Sequence, residues 1–280
     1  MIRIHFLINV FVCAVMASTN AAYCLTADLQ SLRLSKKPIF GDISFLKNYI
    51  IESESIIIGL QVNLNDGWKS YWRHSGDTGL PTRIDFKNID ASKSPTILWP
   101  SPIIENSEFG TSLVYKGENI IPIVIPNEKD GAPLKIEANI EMGVCRDICM
   151  PVKMALVFDR NKAEVSVSSD KLRKALIKIP STNRKLGLKS PSCSVIVKPD
   201  ESFFELVFNI PDIFLDTWAL LEYKKNLIKV IKPEKKINST EFHLNVRIDS
   251  LKDQYLIIDK SQFTLHLVAR DKSLIFFGCT

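Results

Sequence analysis

Hydrophobic and polar residues alternate with a period of two along much of the chain. Leu60, Val62 and Leu64 are separated by polar residues, and the stretch 134–141 repeats the pattern. Because successive side chains of a strand point to opposite faces, this period predicts half-buried strands. The predicted strands are 55–64, 119–125, 134–141, 153–158, 194–197, 203–208, 241–248, 263–268 and 273–277.

One segment departs from this pattern. Residues 169–178 begin with two residues that commonly cap helices, space their apolar residues helically and end before Pro180. They predict a short helix. Short strands at this spacing on both sides of it are typical of β-sandwiches. We therefore predict an all-β chain with two sandwich domains, 23–165 and 191–280, joined by a linker over 166–190 that contains the helix.

The first 22 residues have the layout of a secretory signal peptide. A positively charged start precedes an apolar run over 6–16, and small residues follow over 17–22. The apolar run is shorter than the roughly 20 residues that a membrane span needs. We predict cleavage after Ala21 or Ala22 and export of the mature chain. No membrane-spanning segment is expected in the mature protein.

Charge and histidine content exclude some functions. The net charge of +5 over 280 residues is too small to predict a nucleic-acid partner. The histidines, His5, His74, His243 and His266, show no metal-ligand spacing, so no metal site is predicted. The segment Gly76–Gly79 has the sequence of an aspartic-protease triplet, but a second such loop is missing. We interpret it as a turn.

The cysteine count is informative because an exported chain meets an oxidising compartment. Of six cysteines, Cys13 lies in the signal peptide, and the odd number that remains leaves at least one thiol without an intramolecular partner. Cys193 and Cys279 flank the second predicted domain. They are our candidates for a structural disulfide, which would leave Cys24 unpaired.

Cys145 and Cys149 lie between two predicted strands and enclose Arg146, Asp147 and Ile148. An extended strand would separate residues four apart by roughly 13 Å, whereas a disulfide needs Cα atoms about 5.5 Å apart. A three-residue hairpin loop would place the cysteines opposite one another on adjacent strands. A disulfide across so short a loop stabilises a fold by less than the roughly 3 kcal/mol of a 15-residue loop. We therefore predict a pair that opens and closes by thiol exchange through a mixed disulfide.

Two other interpretations of this pair stay open. A static hairpin staple would make the protein a non-catalytic binding module. Alternatively, the soft sulfurs of Met142, Met150 and Met154 beside the cysteines would suit Cu(I), although methionines beside strands are more often part of a core. Arg146 would favour a thiolate and Asp147 would oppose it, so the sign of their combined effect is undetermined from sequence.

Several motifs follow one another in an order that is typical of a known family. They are Gly67–Pro81, Trp99–Pro102, Ser107–Gly110, Val114–Glu118 and Val144–Pro151. Together they resemble the N-terminal periplasmic domain of the DsbD-type thiol:disulfide interchange proteins, including the ScsB branch. A vaguer similarity lies at Pro211–Phe214. The spacing of the cysteine pair is more similar to the ScsB branch than to DsbD itself.

The resemblance implies an immunoglobulin-like domain that takes electrons from a membrane partner and reduces periplasmic thiol proteins. It places these roles on Cys145 and Cys149, without a bound cofactor. The family has a cap loop whose phenylalanine shields the pair, and Phe109 beside Glu108 stands at the matching place. Glu108 and Asp147 are candidates for tuning the thiols. The expected partners are a transmembrane thiol reductase and periplasmic thioredoxin-like or disulfide-isomerase proteins.

Full-length members of the family continue into a transmembrane domain and a thioredoxin-like domain, and the sequence reaches Thr280 without either. We expect a stand-alone subunit that works with the membrane domain of another protein, or a relative repurposed for binding. The resemblance leaves open whether the pathway serves cytochrome c biogenesis, disulfide correction or copper tolerance. Trp68, Tyr71 and Trp72 could line a partner groove, but packing in the core is the expected role.

Overall fold

Strands dominate the structure, a computed structural model, and the chain is all-β as predicted. Ile39–Thr280 form one compact unit. Over the part of the chain that the structure describes, no helix is long and apolar enough to cross a membrane. The predicted signal peptide, Cys24 and the motif at Pro211–Phe214 lie outside the described residues. The described residues are 38–87, 94–126, 134–165, 171–197, 202–209, 217–235, 241–247, 259–269 and 272–280.

Two sheets built from the first half of the chain form the first sandwich. In one sheet the strand order is β12-β2-β3-β9-β6, with β1 also paired to β3. Ile58, Leu60 and Ile121 of this sheet are buried in the core between the two sheets. The strands of this sheet are β1 (Gly41–Phe45), β2 (Asn48–Glu52), β3 (Ser55–Leu64), β6 (Thr96–Ile97), β9 (Glu118–Pro126) and β12 (Glu164–Val165).

The other sheet of the first sandwich carries the cysteine pair. Its strand order is β11-β10-β4-β8-β7, with β5 also paired to β10. Trp72, Leu113 and Ile140 point from it into the shared core. The strands are β4 (Lys69–Gly76), β5 (Arg83–Lys87), β7 (Ile103–Ser107), β8 (Gly110–Lys116), β10 (Lys135–Cys145) and β11 (Cys149–Asp159).

The helix α1 (Lys171–Ile177) packs against the outer face of the first sheet. Its buried residues Leu172 and Ala175 join one apolar cluster with Ile57 and Ile120. Because this face is covered as well, β3 is apolar on both sides, which explains the continuous run of isoleucines in its first half. The helix predicted over 169–178 is confirmed for its described part.

The second sandwich also contains two sheets, with strand orders β13-β21-β20-β16-β17 and β14-β15-β19-β18. Its core contains Leu206, Phe242, Leu265 and Phe276. The strands are β13 (Ser181–Thr182), β14 (Ser192–Val197), β15 (Ser202–Asn209), β16 (Trp218–Tyr223), β17 (Asn226–Ile231), β18 (Glu234–Lys235), β19 (Glu241–Arg247), β20 (Phe263–Val268) and β21 (Ser273–Phe277).

The two sandwiches meet at strand β4 through a group of side chains, here called the interface cluster, in which Glu222 and His266 are buried and the other two are partly exposed. One guanidinium nitrogen of Arg73 lies 2.8 Å from the carboxylate of Glu222. His74 Nε2 and His266 Nε2 lie 3.0 and 3.3 Å from the same carboxylate. The ring of His266 also packs edge-on against Trp72, with 5.4 Å between centroids. The cluster therefore links the strand beside the cysteine pair to the second sandwich.

Candidate functional site

Cys145 is the last residue of β10, and Cys149 is the first residue of β11. They are directly opposite one another in the register of the two strands, with 4.1 Å between their Cα atoms, and a disulfide joins them. The three residues between them close the hairpin, and the N–H of Arg146 donates to the carbonyl of Ile148 at 3.3 Å. The hairpin geometry predicted for this segment is present.

The two cysteines differ sharply in exposure. Cys145 is 2% exposed and forms a small buried cluster with Tyr71 and Val114. Cys149 is exposed. A thiol from another protein can therefore reach Cys149 directly, whereas Cys145 is shielded by its own sheet.

Tyr71 is the side chain that lies against the exposed cysteine. Its hydroxyl is 3.8 Å from Cys149 Sγ. Burial raises the pKa of Tyr71, and the nearby charge of Lys69 only partly opposes this effect. The hydroxyl therefore keeps its proton at neutral pH and can donate a hydrogen bond to the sulfur.

The ring of Tyr71 is held in place by Gly79. A Cβ atom added to Gly79 would lie 2.1 Å from Tyr71 Cζ, so only glycine leaves room for the ring. The backbone of Gly79 also has a φ of +85°, which favours glycine. Two requirements for glycine thus coincide where the loop after β4 covers Tyr71.

A charged group lies on the same face of the sheet. Lys69 is opposite Cys145 in the strand register, and its Nζ lies 2.8 Å from Glu105 Oε2. Lys116 forms a second ion pair with the same carboxylate. Burial raises the pKa of Glu105, but hydrogen bonds from Lys116 and Lys69 outweigh it, so the pKa lies below its ordinary value. Two lysines against one carboxylate give this group of three side chains a net positive charge.

The segment Gly76–Gly79 forms a turn tied to the β7–β8 hairpin. The N–H of Asp77 donates to the carbonyl of Thr111 at 2.8 Å, and the N–H of Thr111 donates to Asp77 Oδ2 at 2.8 Å. Asp77 therefore has a structural role, in agreement with its interpretation as a turn residue. The loop continues to Leu80, whose carbonyl accepts a hydrogen bond from the N–H of Gly143 at 3.2 Å.

Glu108 and Phe109 form the turn between β7 and β8. The N–H of Phe109 donates to Ser107 Oγ at 3.2 Å, and that hydroxyl donates to the carbonyl of Gly110. The side chain of Phe109 is 76% exposed. The turn belongs to the hairpin of β7, which lies at the opposite end of the strand order from β11. The contact found at the sulfur is made by Tyr71, and the cap role of Phe109 stays a prediction.

Arg146 and Asp147, the other candidates for tuning the thiols, bind each other. Arg146 Nε lies 2.9 Å from Asp147 Oδ2, and both side chains are more than half exposed. The guanidinium of Arg146 also lies over the ring of Trp68, 5.6 Å from its centroid. The side chain of Arg146 therefore binds Asp147 within the loop and the ring of Trp68 beside it.

The pleat of the hairpin separates the methionines from the cysteines. Met142 is buried in the sandwich core, and Met150 and Met154 pack against it. Along β11, Met150 and Met154 lie one and five residues after Cys149, which are odd separations. Because neighbouring residues of a strand point to opposite faces, these sulfurs do not converge with those of Cys145 and Cys149. Among the described residues, no group of three or more His, Cys, Asp and Glu side chains is arranged to hold a metal ion.

No local sequence pattern marks the residues that surround the cysteine pair in the structure, which are Lys69, Glu105, Lys116 and Val114. The spacing of Lys69 and Tyr71 puts both on one face of a strand, but nothing local indicates that this strand lies beside β10. Tyr71 was expected in the core, and Trp68, Tyr71 and Trp72 are all buried. Cys193 and Cys279, far from this site in sequence, are joined by a disulfide in the second sandwich.

Part of the sequence matches a known protein family. Residues 44–160, which contain the hairpin and its neighbours, match the family described as "Thiol:disulfide interchange protein DsbD, N-terminal". The crystal structure of the N-terminal periplasmic domain of ScsB from Proteus mirabilis matches with a TM-score of 0.57 at 19% identity, covering 82% of this chain and 89% of that one. This second match shows a shared fold.

Another solved structure, the periplasmic chaperone SfaE, matches with a TM-score of 0.21 at 7% identity, over 84% of this chain and 99% of that one. Murine CEACAM1b matches with a TM-score of 0.17 at 8% identity, over 85% and 99%. These scores are too low to support an inference. No protein of curated function matches the sequence.

Proposed function

We propose, from the premise that residues 44–160 form a DsbD/ScsB-type N-terminal domain, that this protein carries electrons between thiol proteins of the periplasm. It would accept them from a membrane reductase and pass them to thioredoxin-like or disulfide-isomerase proteins, with Cys145 and Cys149 as the redox pair. One observation carries the proposal: the hairpin holds one buried and one exposed cysteine within bonding distance. The predicted signal peptide supports the location.

The reaction requires a different role for each cysteine. In the reduced protein the thiolate of Cys149 attacks one sulfur of a partner disulfide. The partner's S–S bond breaks, a mixed disulfide forms and one partner thiolate leaves with the electron pair. Cys145 then attacks the sulfur of Cys149, which releases the second partner thiolate and restores the Cys145–Cys149 disulfide. Two electrons pass to the partner, and the reductase returns two by the reverse sequence.

The surroundings of Cys149 support its role as the attacking sulfur. The hydroxyl of Tyr71 is positioned to donate a hydrogen bond to a thiolate at Cys149, which stabilises the negative charge. The net positive charge of Lys69, Lys116 and Glu105 also favours the thiolate form of the cysteine. Burial of Cys145 keeps it from reacting with other thiols before the mixed disulfide has formed.

The different exposure of the cysteines provides the test. Both variants are made in a Cys24→Ser background, because Cys24 is expected to be unpaired. The Cys145→Ser variant keeps the exposed Cys149 but lacks the thiol that resolves the mixed disulfide. It should therefore accumulate covalent adducts with periplasmic proteins, which non-reducing electrophoresis detects and dithiothreitol removes. A Cys149→Ser variant, the matched control, should give far fewer adducts because Cys145 is buried. Equal trapping by both variants, or none by either, would contradict the proposed roles.

A further inference from the structure

Strand β11 begins at the exposed Cys149 and runs for 11 residues. Among the described strands of its sheet it stands last in order, and it pairs with β10 along its whole length. Within the described part of the chain, no strand is hydrogen-bonded to the other edge of β11. An uncovered edge presents rows of backbone donors and acceptors to which another chain can bind.

The hydrogen-bond pattern shows which backbone groups face this edge. The N–H of Gly143 in β10 donates to Leu80, on the side of β10 that faces away from β11. Gly143 and its partner Pro151 are therefore a non-hydrogen-bonded pair, in which both residues direct their backbone groups outward. Hydrogen-bonded and non-hydrogen-bonded pairs alternate along two antiparallel strands. Cys145 and Cys149 lie two positions from this pair, so they are also a non-hydrogen-bonded pair. Their Cα separation of 4.1 Å agrees, because such pairs lie closest together.

It follows that every second residue of β11 directs its N–H and C=O to the open edge. These outward N–H groups belong to Cys149, Lys153, Ala155 and Val157, while Pro151 has no N–H. The side chains of the alternate residues pack toward the core, as the burial of the strand shows. The open edge therefore combines the exposed sulfur of its first residue with a row of backbone groups that no described strand pairs with.

We propose that this edge receives an extended, cysteine-bearing segment of the oxidised partner protein as an additional strand. Backbone hydrogen bonds to β11 would hold the segment while its disulfide sulfur lies at Cys149. The inference rests on the proposed function. It also specifies the partner, which must carry a disulfide whose cysteine lies on an extended segment with free backbone groups. The edge is continuous with the exchange site, since Cys149 belongs to both.

Two residues of the edge limit indiscriminate pairing. Pro151 removes one donor, and Lys153, whose Nζ lies 2.7 Å from Glu141 Oε1, places a charged side chain that is 70% exposed on the strand. Both are common means of preventing edge-to-edge aggregation. A segment without a cysteine would meet these obstacles with no covalent bond to compensate. The edge thus favours a strand that can also react with Cys149.

The test uses a short peptide of alternating valine and threonine with one cysteine, which is joined to 5-thio-2-nitrobenzoate by a disulfide. The Cys149 thiolate of the reduced protein attacks the peptide sulfur, the disulfide breaks and the coloured thionitrobenzoate leaves with the electron pair. A peptide with prolines at alternate positions, which cannot pair as a strand, is the reference. The extended peptide should react about tenfold faster, as expected for a few net hydrogen bonds.

A Lys153→Pro variant should lose this advantage, because it lacks the first outward N–H after Cys149 and its ring blocks a neighbouring strand. Lys153→Ala, which keeps the N–H, should retain it. Both variants should react normally with Ellman's reagent, a small disulfide that needs no strand pairing. Loss of the reaction with Ellman's reagent in the unmodified protein would argue against the proposed function. An intact reaction without a difference between the peptides would overturn the edge inference alone.

Amide hydrogen exchange gives a second readout that does not depend on the proline variant. In the mixed disulfide between the Cys145→Ser protein and the extended peptide, the amides of Lys153, Ala155 and Val157 should exchange more slowly than in the free protein. Unchanged exchange would contradict strand addition. Protection already present in the free protein would show that the protein's own chain covers the edge, and would contradict it equally.

Discussion

The hydroxyl of Tyr71 lies 3.8 Å from the sulfur of Cys149, and the ring that carries it fills the space left by Gly79. The contact joins β4 to β11 across the intervening strand β10. It places a protonated hydroxyl at the exposed member of the cysteine pair. The chemistry of Cys149 therefore depends on a residue of another strand.

Replacing Tyr71 by phenylalanine removes the hydroxyl and keeps the ring. Because a hydrogen bond to a thiolate contributes about 1 kcal/mol or more, the thiol of Cys149 in the reduced protein should become harder to ionise. We expect alkylation by iodoacetamide at neutral pH to slow about fivefold, with the pH profile displaced upward. Alkylation should be measured in a Cys24→Ser, Cys145→Ser background, which removes the other thiols expected to be free and leaves Cys149 to react.

Tyr115→Phe is the matched control. The hydroxyl of Tyr115 is also buried, and it donates to the carbonyl of Pro100 at 2.7 Å, where it touches no cysteine. This variant should lose stability without a change in the alkylation rate of Cys149. If both variants slowed alkylation equally, the effect would be a general consequence of loosened packing, and Tyr71 would have no specific role.

Replacing Gly79 by alanine should displace the ring of Tyr71. The added Cβ would overlap the ring at 2.1 Å, and the φ of +85° adds backbone strain. We expect a loss of about 3 kcal/mol or more in the free energy of unfolding, together with slower exchange at Cys149. Gly117→Ala is the control, since Gly117 has a φ of +61° and no atom lies within 4 Å of the added Cβ. It should cost about 1 kcal/mol and leave exchange unchanged.

Chemical denaturation measures both losses. A cost for Gly79→Ala no greater than that for Gly117→Ala would mean that the ring of Tyr71 moves freely, contrary to the packing described. The comparison isolates the collision because both glycines share the left-handed backbone conformation.

The interface cluster should make the protein sensitive to acid. Burial raises the pKa of Glu222, but hydrogen bonds with His266 and His74 and the charge of Arg73 lower it to about 2. Burial lowers the pKa of His266, which Glu222 only partly opposes. Both groups bind protons less readily in the folded state than in the unfolded chain. Stability is therefore complete above the unfolded pKa values and falls as the pH drops toward the folded ones.

Denaturation of the unmodified protein should show a loss of about 2 kcal/mol from Glu222 between pH 6 and pH 3. Glu222→Gln should be less stable at neutral pH, because the partly buried Arg73 loses the carboxylate that it binds, and should lose less stability on acidification. Glu137→Gln, at an exposed pair with Lys87, should leave the acid profile unchanged. An unchanged profile for Glu222→Gln would contradict the low pKa.

The two disulfides should differ in their effect on stability. The bridge between Cys193 and Cys279 closes 86 residues and is buried at both ends, whereas that of the hairpin closes four. In the chain-entropy model the long loop corresponds to about 4 kcal/mol and the short one to much less. Replacing Cys193 and Cys279 by alanine should therefore destabilise the protein strongly and leave exchange at Cys149 intact. Equal destabilisation by loss of either bridge would contradict this division.

Local sequence patterns predicted the parts of the fold that depend on neighbouring residues. The strand over 55–64 has the predicted bounds, since alternation and flanking polar residues define it. The hairpin at the cysteines followed from chain geometry alone. Strand β4 was not predicted, because Lys69–Gly76 mixes polar and aromatic residues without clear alternation. Strand β16 was also missed, since Ala219, Leu220 and Leu221 are consecutive apolar residues without alternation and the buried residue after them is the charged Glu222.

The surroundings of the cysteines could not be predicted in the same way. The contact of Tyr71 with Cys149 depends on how β4 pairs with β10, and local patterns do not encode that register. The interface cluster joins Arg73 to Glu222, residues of two different sandwiches. Such contacts follow from the packing of whole sheets. The spacing of the cysteines and the motif resemblance predicted the pair, and the fold shows its neighbours.

The reduction potential of the Cys145–Cys149 disulfide tests the central proposal most directly. It is measured by equilibrating the protein with defined ratios of reduced and oxidised dithiothreitol or glutathione and quantifying the free thiols of the hairpin. Mass spectrometry of the alkylated peptide that contains Cys145 and Cys149 separates them from Cys24 and from the Cys193–Cys279 bridge, so the unmodified protein can be used. A protein that exchanges electrons should have a potential above about −300 mV. A potential below that value would identify a static staple and contradict the proposed function.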